Sequence, residues 1–154
     1  MPSERDFYNV SLKVFLNDDK GETLILECEN GGRFVGFHDL PGGRIEKNEF
    51  NTPFDEIIKR EIMEELGEIG YELALKPVAL SRMENPKRES PLGGLVHWLV
   101  IFFEAKYISG DIKISEEHTG FKWVKLSKEN IKSFFMLANL EGAEMYLDNV
   151  NKNI

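Results

Sequence analysis

The chain has 154 residues, with 19 basic and 27 acidic side chains, so its formal charge is −8 at neutral pH. Apolar residues make up 42% and charged residues 30%, and this balance predicts one globular domain over residues 1–154. The negative charge argues against a nucleic-acid partner, because duplex binding depends on basic groups at the phosphates. A small phosphorylated substrate stays compatible with it if a cation mediates the binding.

The sequence pattern predicts neither a membrane-spanning helix nor a signal peptide. The longest apolar run, Leu99–Phe103, falls far short of the ~20 residues that a membrane-spanning helix needs. The first residues lack the apolar centre of a signal peptide. Cys28 is the single cysteine, which excludes an internal disulfide, and we interpret it as a small buried apolar side chain. We therefore expect a cytoplasmic protein with no membrane partner.

The first third of the chain predicts a hairpin followed by a loop. Asn9–Leu16 alternates apolar and polar residues as a half-buried strand does, and Glu22–Glu29 reads as its partner strand across a polar turn. A glycine-rich loop covers Glu29–Gly36. An extended segment, Phe37–Arg44, follows and is interrupted by a Pro-Gly-Gly turn.

The strongest helix signal comes next. Thr52 suits the N-cap, Pro53 the first helical position, and Asp55 completes a start that resembles a capping box. The helix is predicted to run to Leu66 and to end at Gly67.

The remaining chain predicts three strands, a polar loop and two closing helices. The strands are Glu72–Met83, Leu95–Lys106 and Phe121–Val124, the loop is Glu84–Gly94, and the helices are Ser127–Phe135 and Glu141–Asn149. The second strand is apolar almost throughout, which is typical of a central strand covered on both faces. Strands mixed with a few helices indicate an α+β sandwich.

Acidic side chains cluster on the predicted helix beside its apolar stripe. They are Glu61, Glu64, Glu65 and Glu68. Like charges one turn apart repel each other, and the C-terminal half of a helix is the unfavourable end for negative charge. The cluster is either a solvated acidic face or a binding place for a hard divalent cation such as Mg²⁺, which takes carboxylate and phosphate oxygens.

The segment 43–67 separates these two readings. It reads GRIEKNE, then ten residues, then REIMEELG, after a lead-in of Leu-Pro-Gly. It resembles the signature of the Nudix hydrolases, which is Gly, five residues, Glu, seven residues, then Arg-Glu-apolar-any-Glu-Glu-any-Gly. The matching residues are Gly43, Glu49, Arg60, Glu61, Ile62, Glu64, Glu65 and Gly67.

Two departures from the signature stand out. Three extra residues separate Glu49 from Arg60, and we expect them to lengthen the loop before Thr52 and to leave the helix intact. Glu68 stands where an apolar residue is usual, so Ile69 is expected to take that packing role.

The resemblance implies a fold and a reaction. The fold is an α/β/α sandwich around a central mixed β-sheet. The reaction is hydrolysis of a nucleoside diphosphate linked to another group, with Mg²⁺ as cofactor and Mn²⁺ as a substitute. Glu61, Glu64 and Glu65 would be the principal metal ligands, together with a carbonyl oxygen of Gly42 or Gly43.

Further roles follow from the same resemblance. Arg60 would pair with Glu61 or Glu49 and orient it, and Glu49 would support the metal shell or its waters. Arg44 would contact a substrate phosphate.

The general base is left open between several carboxylates. Glu61 is one candidate, and Glu116 or Glu117, from the loop before the last strand, is another. The neighbouring His118 is suitably placed for a role.

Other residues carry weaker hypotheses. His97 is interpreted as a satisfied core or cleft-wall histidine, and His38 as a residue that would stack on a base. Lys87 and Arg88 form the most basic local patch, which would either lie over the cleft or belong to a surface loop.

The substrate within the nucleotide class is not fixed by these motifs. A (deoxy)nucleoside triphosphate, cleaved to monophosphate and pyrophosphate, is favoured because signatures of the subfamilies acting on ADP-ribose and diadenosine polyphosphates do not stand out. An ADP-ribose or nucleotide-sugar pyrophosphatase and a non-catalytic nucleotide sensor are the alternatives. An isopentenyl-diphosphate isomerase fits poorly, since Cys28 would have to be its catalytic cysteine. The resemblance leaves monomer and homodimer open.

Overall fold

The computed structural model describes residues 3–28, 36–90 and 93–152, and for residues 86–89 the backbone alone. The predicted loop Glu29–Gly36 lies outside these residues except for Gly36. Within these ranges the strands are β1 Tyr8–Asn17, β2 Thr23–Cys28, β3 His38–Asp39, β4 Gly42–Arg44, β5 Gly70–Glu89, β6 Leu95–Ser109 and β7 His118–Val124. The α-helices are α1 Phe54–Leu66, α2 Ile131–Phe134 and α3 Leu137–Lys152, and a 3₁₀ turn covers Lys47–Glu49.

The strands form one mixed sheet in the order β3-β2-β1-β6-β5, with β4 also paired to β1 and β7 to β2. β1 and β6 run parallel, whereas the other pairs are antiparallel. The predicted hairpin is confirmed, since β1 and β2 pair antiparallel from Asn17 opposite Thr23.

Two apolar layers cover the two faces of this sheet. On one face Val14 and Leu16 belong to a core that includes Ile58 and Ile62 of α1. On the other face Phe15 belongs to a second core, built with residues of β6, α2 and α3. Burial on both faces explains why β1 and β6 are so rich in apolar residues. The predicted α/β/α sandwich around a central mixed sheet is therefore confirmed.

The start of α1 differs from the prediction. Pro53 is the N-cap, with extended backbone, and no side chain among the described residues caps the helix, so the assignment of Thr52 as N-cap was wrong. The N–H of Thr52 instead donates to the carbonyl of Glu49 at 2.9 Å and closes a turn formed by the longer connection. Helix α1 stays intact, as expected, and ends where Gly67 adopts a φ of +80°.

Other boundaries moved because sheet pairing outweighs local signals. The segment predicted as a loop from Glu84 continues β5 to Glu89, paired with β6. Its one proline, Pro86, is tolerated because it lies on an edge strand and within the irregularity of the pairing between Asn85 and Glu89, where a missing N–H costs no ladder hydrogen bond. The first closing helix is shorter than predicted, and α3 begins four residues before Glu141.

Helices in the described part of the chain are all too short or too polar to cross a membrane. Cys28 is only partly buried, rather than fully buried as predicted.

Candidate active site

A cavity of about 580 Å³ is lined by residues of the sheet and of helices α1 and α3. Its charged and glycine lining comes from β1, β3, β4, α1 and the turn that leads into β7, whereas Met83, Trp98, Val100 and Ala138 line it from β5, β6 and α3. The cavity therefore combines a strongly acidic wall with an apolar wall.

Helix α1 and the glycine turn of β4 meet at the acidic wall. Glu61 and Glu65, one helical turn apart, are both buried. A Cβ atom at Gly43 would lie 2.6 Å from the Glu61 carboxylate, so only glycine leaves room for that side chain. Gly42 has a φ of +124°, and its N–H donates to Glu65 Oε2 at 3.4 Å. The predicted proximity of the helix carboxylates to the Gly42-Gly43 turn is confirmed.

Arg60 connects three of the acidic residues. Its guanidinium lies 2.7 Å from Glu49 Oε1, 2.9 Å from Glu61 Oε1 and 3.2 Å from Glu64 Oε2. The hydrogen bonds from Arg60 lower the pKa of Glu49. Both predicted pairings of Arg60 are therefore present, and Glu64 is added to them.

Burial destabilises the charged forms of two other carboxylates, Glu61 and Glu65. It raises the pKa of Glu65 to about 8, although the charge of Lys13 opposes the rise. It also raises the pKa of Glu61, despite the neighbouring Arg60. Two buried carboxylates with elevated pKa values, next to a third acidic group at Glu64, lack sufficient positive charge from the protein. A divalent cation is the type of group that supplies it.

A buried lysine, not predicted from the sequence, also lines the cavity. Lys13 Nζ donates to Asp39 Oδ2 at 3.1 Å and to the carbonyl oxygens of Leu40 at 3.2 Å and Gly42 at 2.9 Å. Burial would raise the pKa of Asp39, but the charge of Lys13 together with hydrogen bonds from Asn139, Lys13 and the N–H of Leu40 outweighs it and lowers that pKa. The available signal was a lysine inside the apolar alternation of β1.

Two further side chains of this region were missed. Asn139 is buried in α3, and its Nδ2 donates to Asp39 Oδ1 at 2.9 Å. Trp98 of β6 lies under the guanidinium of Arg44, whose Cζ is 5.8 Å from the ring centre. Neither stands out in sequence, because their shared location depends on how β6 and α3 pack.

The loop before β7 brings two more residues to the cavity. Glu117, from this loop, and His118, the first residue of β7, both line the cavity, whereas Glu116 does not; Glu116 and Glu117 are both exposed. His118 Nε2 lies 3.9 Å from Glu65 Oε2. Of the two carboxylates considered as general base from this loop, Glu117 is the one at the cavity.

Several predicted residues lie elsewhere. His97 is satisfied by Asp6 and Glu84, as predicted, but it lies at the partly exposed rim of the sheet rather than in the core. His38 packs edge-on against Phe134 outside the cavity.

The acidic cluster is smaller than the sequence indicated. Glu68 follows the end of α1 and lines a separate exposed groove, because Gly67 redirects the chain. Ile69 packs against the core on the α1 face, as expected. The side chains of Lys87 and Arg88 lie outside the described residues.

Comparison with known proteins agrees with this geometry. The family model of the NUDIX domain matches residues 8–138. The nucleoside triphosphatase NudI of Escherichia coli O81 (strain ED1a) is 27% identical over 113 residues, which cover 71% of this chain and 77% of that protein.

Solved structures show the same architecture. The MutT protein from Methanosarcina mazei Go1 superposes with a TM-score of 0.70 at 25% identity, over 98% of this chain and 99% of that one. The E. coli dihydroneopterin triphosphate pyrophosphohydrolase superposes with a TM-score of 0.66 at 18% identity, over 94% of this chain and 99% of that one. At this identity the likeness supports the fold alone.

The family match covers most of the chain and includes the whole acidic wall of the cavity. Its signature segment, residues 43–67, supplies the glycine turn, Arg60 and the buried carboxylates. The chain thus belongs to the Nudix family and is a pyrophosphohydrolase.

Proposed function

We propose that the protein hydrolyses a (deoxy)nucleoside triphosphate to the monophosphate and pyrophosphate, with Mg²⁺ as its cofactor. The observation that carries the proposal is the convergence of Glu61, Glu64 and Glu65 with the Gly42-Gly43 turn at one wall of a cavity. The resemblance to a nucleoside triphosphatase supports the substrate class. Retention of the three helix carboxylates argues for catalysis rather than nucleotide sensing.

The residues of the acidic wall suit a hard divalent ion. Glu61, Glu64 and Glu65 would hold it through carboxylate oxygens, which Mg²⁺ prefers. The Gly42 carbonyl accepts a hydrogen bond from Lys13 and retains a second lone pair for the ion. When bound, the ion offsets the charge of the polyphosphate and makes water a stronger nucleophile at neutral pH.

Arg60 and Glu49 have orienting roles in this proposal. Because Arg60 is fixed by Glu49, it holds Glu61 in one rotamer against Gly43. Its planar fork of donors suits this simultaneous binding of several carboxylates. Glu49 would support the metal shell through waters.

Proton removal from the attacking water requires a carboxylate at the cavity. Glu61 and Glu117 are both candidates for this base. Elevated pKa values favour proton acceptance near neutral pH, and burial raises the pKa of Glu61.

The other wall would hold the nucleotide. Trp98 and Met83 supply flat and apolar surface for a base, and buried Asn139 supplies an amide for hydrogen bonding. Arg44 lines the same cavity with its guanidinium over Trp98, where it would contact a phosphate.

A nucleotide panel tests the proposal. The purified protein would be incubated with the eight common ribo- and deoxyribonucleoside triphosphates, ADP-ribose and a nucleotide sugar, with Mg²⁺ or with EDTA. We expect pyrophosphate release from at least one triphosphate, abolished by EDTA. Cleavage of ADP-ribose or the nucleotide sugar alone would reject the triphosphate assignment, and no cleavage of any compound would reject the whole proposal.

A further inference from the structure

We propose that His118 supplies a nitrogen ligand to a divalent ion shared with Glu65 and Glu117, so that this position selects a first-row transition-metal ion over Mg²⁺. The inference deepens the proposed function, on which it rests, because it concerns one ion position in the same cavity. His118 would add a nitrogen donor to a group of metal ligands that otherwise offers only oxygen atoms.

The distances between the three side chains fit a shared ion. One potential ligand atom of each residue lies within 4.8 Å of those of the other two. Ligand atoms bound at 2.0–2.2 Å to one ion are separated by at most about 4.4 Å, so a shift of a few tenths of an ångström suffices. The 3.9 Å between His118 Nε2 and Glu65 Oε2 lies within this limit, but it is too long for a hydrogen bond.

The burial of His118 supports the same conclusion. The side chains of His118 and Glu65 are each only 8% exposed. Among the residues that the structure describes, His118 Nδ1 has no hydrogen-bond partner. Buried polar atoms are normally satisfied, so an imidazole in this state beside two carboxylates indicates a missing ligand.

The backbone fixes His118 in this place. Its N–H donates to the carbonyl of Ser115 at 3.2 Å, and its Cα pairs with Cys28 across the β2–β7 ladder. Glu65 is fixed from the opposite side by α1. Glu117 lies in the turn before β7, next to His118, so two of the three ligands stand on regular elements, which hold ligands more firmly than loops do.

The donor types indicate which ion the position prefers. Imidazole suits transition-metal ions, whereas Mg²⁺ prefers oxygen ligands and retains its waters. Glu61 and Glu64 offer oxygen alone, and they remain suited to Mg²⁺. The two kinds of donor set therefore predict different ions at neighbouring positions.

Pulsed electron paramagnetic resonance tests the nitrogen ligand directly. Full-length protein labelled with ¹⁵N only in histidine would receive one equivalent of Mn²⁺ in excess Mg²⁺. We expect a ¹⁵N hyperfine coupling in the wild type and in His97→Gln, a control that removes a histidine outside the cavity, and no coupling in His118→Ala. Bound Mn²⁺ without ¹⁵N coupling in the wild type would overturn the proposal, whether or not the variant folds.

Calorimetry with the metals alone gives a second readout. We expect His118→Ala to weaken Co²⁺ binding by at least about tenfold, as loss of a metal-site contact typically does. Mg²⁺ binding should change less than threefold. Equal losses for both ions would mean a structural role and would reject the selectivity.

The failure of this inference is distinguishable from failure of the proposed function. Mg²⁺-dependent hydrolysis without ¹⁵N coupling would reject the nitrogen ligand and leave the function intact. A ¹⁵N coupling without hydrolysis of any nucleotide would retain the metal position and reject the function.

Discussion

Two cationic residues, Arg60 and Lys13, contact the acidic wall in different ways. Arg60 is about one-third exposed and contacts three carboxylates, all of them within the signature segment 43–67. Lys13 is mostly buried, contacts one carboxylate, and otherwise donates to backbone carbonyl oxygens. Arg60 therefore orients side chains, whereas Lys13 fixes the backbone of the glycine turn.

The difference between Lys13 and Arg60 predicts that folding stability and catalysis depend on different residues of this cavity. A partly exposed ion-pair network contributes little to folding, because water screens it. A buried pair is strongly destabilised when one partner is removed, because the remaining charge has no water to solvate it. We expect Lys13 to be required for the fold and Arg60 mainly for activity.

The largest effect is expected for Lys13→Met. It leaves Asp39 buried without its counter-charge, and we expect a loss of about 3–5 kcal/mol in the free energy of unfolding, measured by urea denaturation. The double variant Lys13→Met/Asp39→Asn should recover most of this loss, because residue 39 then carries no charge that needs a partner. An equal or larger loss in the double variant would mean that packing, not charge, explains the effect.

Glu65→Gln should reduce kcat by at least about 10²-fold with Mg²⁺, since loss of one charge-stabilising element typically costs about 3–4 kcal/mol. Steady-state pyrophosphate release measures this. Glu68→Gln is the matched control, because Glu68 lies outside the cavity and should retain full activity. Unchanged kcat in Glu65→Gln would contradict the metal-ligand role.

The same substitution should stabilise the metal-free protein. Burial raises the pKa of Glu65 in the folded state to about 8, above its ordinary value of 4.5, so the folded state is penalised once this carboxyl must ionise. The penalty grows as pH rises from about 4.5 and is complete above about 8. In EDTA we expect Glu65→Gln to raise Tm at pH 9 and to change it little at pH 4. The opposite order would contradict the buried-charge explanation.

Arg60→Gln tests the expectation that Arg60 is needed mainly for activity. We expect kcat to fall about tenfold, which corresponds to about 1.4 kcal/mol, while the free energy of unfolding changes by less than about 1 kcal/mol. Arg60→Lys keeps the charge but not the planar fork, and it should recover only part of the activity. A loss of stability as large as that of Lys13→Met would remove the distinction between the two cations.

The smallest effect concerns His97, at the rim of the sheet. Hydrogen bonds with Glu84 and Asp6 raise its pKa above 6.5, so its stabilising contribution is complete below pH 6.5 and is lost as pH rises through the higher folded value. The Tm difference between wild type and His97→Gln should therefore be largest near pH 6 and should shrink at alkaline pH. A difference independent of pH would show that this contact is not ionic.

Whether the surroundings of a residue could be predicted from the sequence depended on how far along the chain its contact partners lie. Glu61 and Glu65 lie one helical turn apart, so helical periodicity placed them together correctly, whereas the pairing of Arg60 followed from the family resemblance. The N-cap at Pro53 was missed because the longer connection from Glu49 closes its own turn through Thr52. The extension of β5 to Glu89 was missed because pairing with β6 outweighed the local signal of Pro86.

The amino-acid sequence by itself determined the signature helix, the glycine turn and the acidic character of their contact, since spacing along one helix and one turn sets these features. The tertiary structure alone brought Lys13 to Asp39, Asn139 to the same carboxylate, and His118 to Glu65. These contacts join residues that are 26, 100 and more than 50 positions apart, and no local period predicts them. Sheet order and helix packing determine which distant residues share a cavity, so Lys13 and Asn139 become recognisable as parts of this site only in the folded molecule.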